Sequence, residues 1–244
     1  MPVYVVTGTR GGIGLEYVRQ LSSDPSNVVF ALVRNPTGSN ISALETIQTD
    51  ATGTVHIIDC DISSDENISG LADRVRAKFS DVNSAINMLI NNAAILDEDK
   101  RGETSLNLTS KSLWNHIETN TMGPARVLQA LLPSLAPDAL VANISSGIGS
   151  LEMLADGRIT AELTAYSISK TALNMLTVHQ AKQLADRGIT VVAVDPGHVK
   201  TEMGGPGAVV EIPDSARGVL KTLHGLTHKD TGKFVLYTGE ELPW

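Results

Sequence analysis

Cysteine is almost missing from this chain. The single Cys60 cannot form an internal disulfide, and its place in the apolar run TVHIIDCDI reads as a small buried hydrophobe. Long apolar runs are missing as well: with 19% charged residues spread along the sequence, every apolar stretch falls far short of a membrane span, so no membrane association is expected. There is no basic cluster. A formal net charge of -8 without grouped Lys and Arg gives phosphate backbones nothing to bind, which excludes nucleic acid as the expected partner. A strand-like run opens at Val3 and a glycine motif at Thr7, leaving no room for a charged n-region, an apolar h-region and a cleavage site. A cytoplasmic location is the expectation. No fixed-period repeat or low-complexity tract appears.

What is present is a chain of 244 residues, 42% of them apolar, long enough to bury a substantial core and lacking a linker-like stretch. One domain over residues 1–244 is expected. Short apolar segments, PVYVVTG, NVVFALVR, TVHIIDCDI, AINMLINNAA, ALVANISS, ITVVAVDPG and KFVLYTG, alternate with stretches of helical spacing. Several are apolar at successive positions, as strands are when helices cover both faces of a parallel sheet. The expected fold is therefore α/β, a doubly wound seven-stranded parallel sheet. In such sheets ligands bind outside the carboxyl ends of the strands, so the residues just after each apolar run are the site candidates. The Gly/Pro-rich stretch MGGPGAVVEIP reads as a mobile loop between two elements.

The first strand runs into TGTRGGIG, where Gly8, Gly12 and Gly14 precede the helical pattern LEYVRQL. A backbone that turns tightly and approaches a pyrophosphate needs such residues, and the free amides of a helix N-terminus favour the anion. The second apolar run ends at Arg34, twenty residues after Gly14, and no Asp or Glu lies between Ala31 and Asn40. An acid at that position would hold a ribose 2′-hydroxyl; a guanidinium instead pairs with a 2′-phosphate. Arg34, helped by Arg10, therefore points to NADP(H).

Tyr166 and Lys170 lie four apart in the helical stretch AYSISKTALNMLTVHQ and project from one face. A phenol is a poor acid-base catalyst at neutral pH, and a nearby ammonium lowers its pKa by stabilising the phenolate, which is the expected effect of Lys170. Upstream, the strand ALVANISS ends in Ser145 and Ser146, where a hydroxyl can bond a carbonyl oxygen beside the phenol or simply cap a turn.

The ordered set TGTRGGIG, DI at Asp61, NNAA, Asn120 in IETNTMG, ISS, YSISK and DPGHVKT resembles the short-chain dehydrogenase/reductase superfamily over nearly the whole chain. The ending, MGGPGA and then DTGKFVLYTGEELPW, resembles the branch of bacterial C-factor, sniffer-type carbonyl reductases and fungal ketoreductases. The resemblance implies a Rossmann sheet and a catalytic set in which Tyr166 donates the proton, Lys170 holds the nicotinamide ribose, Ser146 orients a carbonyl and Asn120 supports a water relay. It further implies that Asp61 and Ile62 flank the adenine and that Asn92, Ala93 and Ala94 support the cofactor. Gly8, Arg10, Gly12, Ile13, Gly14 and Arg34 complete that side, while Pro196, Gly197, Val199 and Thr201 border the nicotinamide. The sequence departs from the family pattern at Ala94, where Gly is usual, at Arg10, one place early, and at His198, where an aromatic is frequent.

The expected function is NADPH-dependent reduction of a ketone or aldehyde to an alcohol. A non-catalytic dinucleotide-binding regulator and NAD-dependent alcohol oxidation are the alternatives. No required metal is expected, since His224 and His228 stand apart from any third ligand, and the Ser146 region lacks the glycine of a nucleophile elbow. Leu151, Met153, Leu154, Met203 and Val209 are the expected wall of a pocket for a hydrophobic or aromatic carbonyl substrate, and the charge run DEDKRGE, residues 97–103, is expected as a solvated loop, with an edge of the substrate mouth as the alternative. The apolar positions of TALNMLTVHQAKQLA suggest a homodimer or homotetramer.

Overall fold

The computed structural model describes residues 1–79, 85–97 and 102–244, so most of the 97–103 charge run lies outside the described residues. Val- and Ile-rich segments form the strands β1 (Val3–Thr7), β2 (Val28–Val33), β3 (Thr54–Asp59), β4 (Ile86–Asn91), β5 (Leu135–Ile144), β6 (Thr190–Asp195) and β7 (Phe234–Leu236). All pair in parallel, in the order β3-β2-β1-β4-β5-β6-β7. The direction of strand addition reverses between β1 and β4, which opens a crevice at their carboxyl ends.

The crossovers are α1 (Gly12–Leu21), α2 (Ser42–Asp50), the short α3 (Asp65–Ile68) and α4 (Leu71–Arg76), α5 (Ser110–Ile117), α6 (Gly123–Leu131), α7 (Leu151–Ala155), α8 (Thr164–Leu184) and α9 (Ile212–Gly225). They bury the sheet from both sides. One apolar cluster joins Val6, Ala31, Ile90 and Val194 to Tyr17, Val18, Val219 and Leu223. The other joins Val5, Phe30, Leu89 and Val191 to Leu71, Val127, Leu131 and Leu184. Because both faces are covered, successive strand residues are buried, which is why the sequence shows apolar runs and not alternation.

Two elements differ from a regular reading. β5 begins at Leu135, well before ALVANISS, and its register against β4 shifts between the pairs Ile86–Leu135 and Met88–Leu140. Pro137 falls in this irregular stretch, where its missing N–H is tolerated. Between α5 and α6 the chain widens into a π turn, Glu118–Met122, around Asn120. Pro124 stands four residues after Asn120 and has no N–H, so the Asn120 carbonyl lacks its i+4 donor.

Beneath the carboxyl ends of the central strands, Asn91 donates to Asn143 at 2.9 Å, and Asn143 donates in turn to Thr177 and Gln180 of α8 at 2.9 and 3.0 Å. This buried network fixes α8 against β4 and β5. The Gly/Pro-rich stretch after β6 is a loop as expected. It is closed at its base by a Val199–Val210 bridge and by amides of Val209 and Val210 donating to the His198 carbonyl.

Candidate active site

The glycine turn after β1 is shaped by contacts no larger residue would allow. Gly8 has φ +72°, and a Cβ there would lie 2.7 Å from the Ala93 Cα. A Cβ on Gly14 would fall on the Gly8 carbonyl oxygen and 2.5 Å from Asn92 Nδ2. The two glycines thus let α1 start close against the end of β4. Asn92 fastens that contact, donating from Nδ2 to the Thr7 carbonyl at 3.0 Å, while the amides of Asn92 and Ala93 both donate to the Thr7 hydroxyl at 2.9 Å.

No side chain caps α1 at Gly11. A Cβ on Gly11 would meet only open space, and one on Gly12 would meet only Thr201 Cγ2, 3.5 Å away across the crevice. The amides of Gly12, Ile13 and Gly14 at the first turn therefore face an open cradle, the arrangement that receives a phosphate. Arg34 and Arg10 are exposed at the same end of the sheet. Asn35, with φ 49°, turns the chain after Arg34; its amide donates to Asp59 and its side chain accepts from the Gly38 amide, both at 3.0 Å.

Asp61 and Ile62 follow β3, but their side chains are engaged within the chain. The Asp61 carboxylate accepts from the Ser63 amide and hydroxyl at 3.0 and 2.6 Å, and Ile62 is buried where a Cβ on Gly123 would touch its Cδ1. Ala94 is half-buried beside Ala93.

At the end of β5 the two serines part company. Ser145 is buried and donates to Asn174 at 2.5 Å, whereas Ser146 opens a short helical turn; its hydroxyl accepts from the Ile148 amide at 3.4 Å and stands near enough to the Tyr166 phenol to favour the ionised form. Tyr166 sits in the first turn of α8, whose leading amide, that of Thr164, donates to the Glu103 carbonyl at 3.1 Å. One turn on, Lys170 is buried, donates from Nζ to the Ile144 carbonyl at 2.8 Å, and lies 5.6 Å from the centre of the Tyr166 ring. Asn120 accepts from the Ile95 amide at 2.8 Å and donates to the Ile95 carbonyl and the Ser169 hydroxyl, each at 3.0 Å. Ser146, Tyr166, Lys170 and Asn120 therefore come together at the carboxyl edge of the sheet, beside the glycine turn.

Burial pushes the Tyr166 phenol up, Asp195 adds to the rise, and the Ser146 hydrogen bond opposes it. The direction is opposite to that expected from Lys170 alone, because the cost of removing a phenolate from water dominates and the Asp195 charge adds to it. Burial also brings Lys170 down from 10.5 to about 7, against the pull of Asp195.

Two residues near the phenol carried no role in the sequence reading. Asp195, the last residue of β6, accepts from the Gly147 and Gly197 amides, both at 2.8 Å. Its only sequence signal is an acid closing an apolar run. His116 on α5 is fully buried edge-on to Tyr166, with ring centres 6.3 Å apart; its Nδ1 bonds to the Ser112 carbonyl at 2.8 Å.

Beyond Asp195, Pro196 accepts from the Ser215 hydroxyl at 2.6 Å, Gly197 has φ +82°, Val199 is buried in the bridge, and Thr201 accepts from the Gly204 amide at 3.0 Å. His198 is exposed and bonds through Nε2 to the Gly204 carbonyl at 2.7 Å. The expected apolar wall is not gathered in one place. Leu151 and Leu154 line a groove with Ile168, Ala172 and Met175 on the outer side of α8. Met153 alone turns inward, to the vicinity of Gly147. The helix is only five residues long, so neighbouring side chains diverge around it.

Cys60 is buried, and burial pushes its thiol up to about 12, which suppresses the reactive thiolate. His224 bonds to the Leu220 carbonyl at 2.7 Å and to the Tyr4 hydroxyl at 3.2 Å, and among the described residues no group of three His, Cys, Asp or Glu is placed to hold a metal ion.

Known proteins share this fold. The chain is similar to the C-signal protein of Myxococcus xanthus, 42% identical over 127 residues that cover 51% of this chain and 74% of that one. It superposes on an NADPH-bound carbonyl reductase from chicken fatty liver with a TM-score of 0.89 at 34% identity, covering 100% of both chains. The carbonyl reductase Sniffer of D. melanogaster gives a TM-score of 0.89 at 28% identity, over 100% of this chain and 99% of that one. The short chain dehydrogenase family profile matches residues 2–207, which span every strand but the last and all of the catalytic candidates. The protein is accordingly an oxidoreductase that belongs to the short-chain dehydrogenase family.

Proposed function

We propose that this protein, as a single domain over residues 1–244, uses NADPH to reduce a hydrophobic or aromatic ketone or aldehyde to the alcohol, with Tyr166 as proton donor. The observation that carries the reading is the buried Tyr166 phenol, with the Ser146 hydroxyl beside it and Lys170 5.6 Å from its ring, next to an uncapped helix N-terminus. The cradle fits a dinucleotide: the Gly12–Gly14 amides receive the pyrophosphate, and Arg34 with Arg10 receives the 2′-phosphate. Asp61, Ile62, Asn92, Ala93 and Ala94 border the adenosine half; Lys170, Pro196, Gly197, Val199 and Thr201 border the nicotinamide half. The NADPH held by the chicken reductase supports this choice. When bound, the reduced nicotinamide supplies the hydride.

The chain's own groups handle the oxygen. Ser146 donates a hydrogen bond to the substrate carbonyl and fixes it beside the phenol. As that oxygen gains electron density it takes the proton from Tyr166 Oη. The raised phenol pKa keeps this proton in place at neutral pH until the oxygen becomes basic enough. Lys170, as an ammonium, then steadies the phenolate, and the Asn120 carbonyl, which has no i+4 donor, holds water on the route that returns the proton. We place the protein in the cytoplasm. We also read it as a homodimer or homotetramer formed through the helices around Asn120 and Tyr166, where Trp114, Ile168 and Met175 are exposed.

The test is NADPH and NADH binding to the purified protein, followed by loss of nicotinamide absorbance over a panel of ketones and aldehydes. Tyr166→Phe is expected to bind NADPH as the wild type does and to lose about 100- to 10,000-fold in kcat. Equal turnover by the variant would refute the acid assignment. Dinucleotide binding with no Tyr166-dependent turnover on any carbonyl would favour the regulatory alternative.

A further inference from the structure

Asp195 ends β6 with a carboxylate turned back toward the site. Its Oδ2 accepts from the Gly147 amide and its Oδ1 from the Gly197 amide, both at 2.8 Å. The two amides belong to different turns. Gly147 follows Ser146 at the end of β5, and Gly197 follows Pro196 at the end of β6. The approach is close: a Cβ on Gly147 would lie 2.9 Å from Oδ2. A carboxylate presents an acceptor to each amide, whereas the neutral isostere Asn has one acceptor oxygen and would turn an NH₂ donor against the second N–H. An apolar residue would extend the run VVAV but leave both amides without a partner. A carboxylate satisfies both turns at once; burial raises its pKa, the two amides oppose the rise, and an enclosed anion calls for a nearby cation. Lys170 is that cation: its Nζ is held on the Ile144 carbonyl at 2.8 Å, three residues before the Gly147 amide that bonds to Asp195, and each charge favours the other.

We propose that Asp195 is a positioning residue for the reduction: its carboxylate clamps the Ser146 turn to the Pro196–Gly197 turn, and its charge keeps Lys170 an ammonium beside Tyr166. The proposal rests on the carbonyl-reductase reading of this same site. The titratable groups around the carboxylate are Tyr166 and Lys170 from α8, His198 from its own turn, and Tyr237, whose amide donates to the Asp195 carbonyl at 2.8 Å. His116 of α5 faces Tyr166 from the far side, and His198 is held outward by the Gly204 carbonyl. The charge of Asp195 raises both Tyr166 and Lys170. Removing it makes both lose their protons at lower pH, so the two effects agree in sign whichever group limits the rate.

The experiment is the pH profile of kcat/KM for 4-nitrobenzaldehyde with NADPH, using wild type, Asp195→Asn and Asp195→Glu. Asp195→Asn is expected to lower kcat/KM about tenfold or more at neutral pH, and its alkaline limb is expected to fall about one pH unit earlier. Asp195→Glu, which restores the charge, is expected to return the limb to its wild-type position. A limb that stays in place in Asp195→Asn overturns the proposal, because a purely structural clamp would lower the rate without moving it. Should Asp195→Asn not fold, Asp195→Ser, also neutral, takes its place. A second readout needs neither turnover nor cofactor: the Lys170 Cε carbon shift followed against pH by NMR. A lower Lys170 midpoint in the neutral variant supports the proposal even if no carbonyl is reduced, in which case the functional reading alone fails. An unchanged midpoint overturns it.

Discussion

Replacing Lys170 by Met separates what this residue costs the fold from what it does in the site. The ammonium is buried, and its pKa falls from 10.5 to about 7 on folding. Between those two values the unfolded chain binds more protons than the folded one, so stability rises with pH across that window and the burial cost is fully present below pH 7. At about 1.4 kcal/mol per pH unit the gap corresponds to about 5 kcal/mol at pH 6 and about 2 kcal/mol at pH 9. Met fills a similar volume without the charge. It forfeits the bond from Nζ to the Ile144 carbonyl, a loss of about 1–3 kcal/mol that does not depend on pH. The variant is therefore expected to be inactive yet more stable than the wild type by about 2–4 kcal/mol at pH 6. Its advantage should shrink by about 3 kcal/mol by pH 9. Losing the ammonium also raises the Asp195 carboxyl further, and its proton, released on the same climb, acts in the same direction. Urea unfolding of both proteins at pH 6 and pH 9 measures the difference directly. An identical stability gap at the two pH values would refute the reasoning, since the argument stands on the proton that Lys170 sheds on folding.

Two further substitutions probe the cofactor cradle. Arg34→Ala is expected to weaken NADPH about 10- to 100-fold while leaving NADH nearly unchanged, as titration of protein fluorescence with each dinucleotide would show; equal losses for both would remove the 2′-phosphate assignment. Gly14→Ala places a methyl against the Gly8 carbonyl and Asn92 Nδ2. It should cost about 1–3 kcal/mol by thermal unfolding and abolish dinucleotide binding, and a variant with wild-type Tm and affinity would show that this contact can yield.

The α/β alternation was legible because strands buried on both faces leave uninterrupted apolar runs, and the glycine turn because its close contacts admit nothing larger. Tyr166 and Lys170 were legible as a pair from their four-residue spacing. The balance of charge and burial around them was not: spacing puts both side chains on one face but says nothing of the water they lose, and here that loss decides the direction for both. The early start of β5 was hidden by Pro137, which reads as a break until the shift in register against β4 accounts for it. The π turn around Asn120 went unread, although Pro124, four residues on, removes a helical donor. Leu151 and Leu154 turned away because a helix of five residues has no period to read. Asp195 stayed hidden for another reason: one of its two amide partners, Gly147, is 48 residues away along the chain.

The bridge between Val199 and Val210 gives the segment it closes an independence that the rest of the site lacks. Residues 200–209 lie beyond the end of β6, and the bridge draws their two ends together outside the sheet. Their composition can drift, lengthen or shorten while the bridge holds, without disturbing the strands below or the buried amide network under α8. Loop closure changes little with a few added residues, and surface loops tolerate such change better than cores do. The molecule thus divides in two: a fixed floor of strands and buried amides, and a rim that can change at small cost to folding.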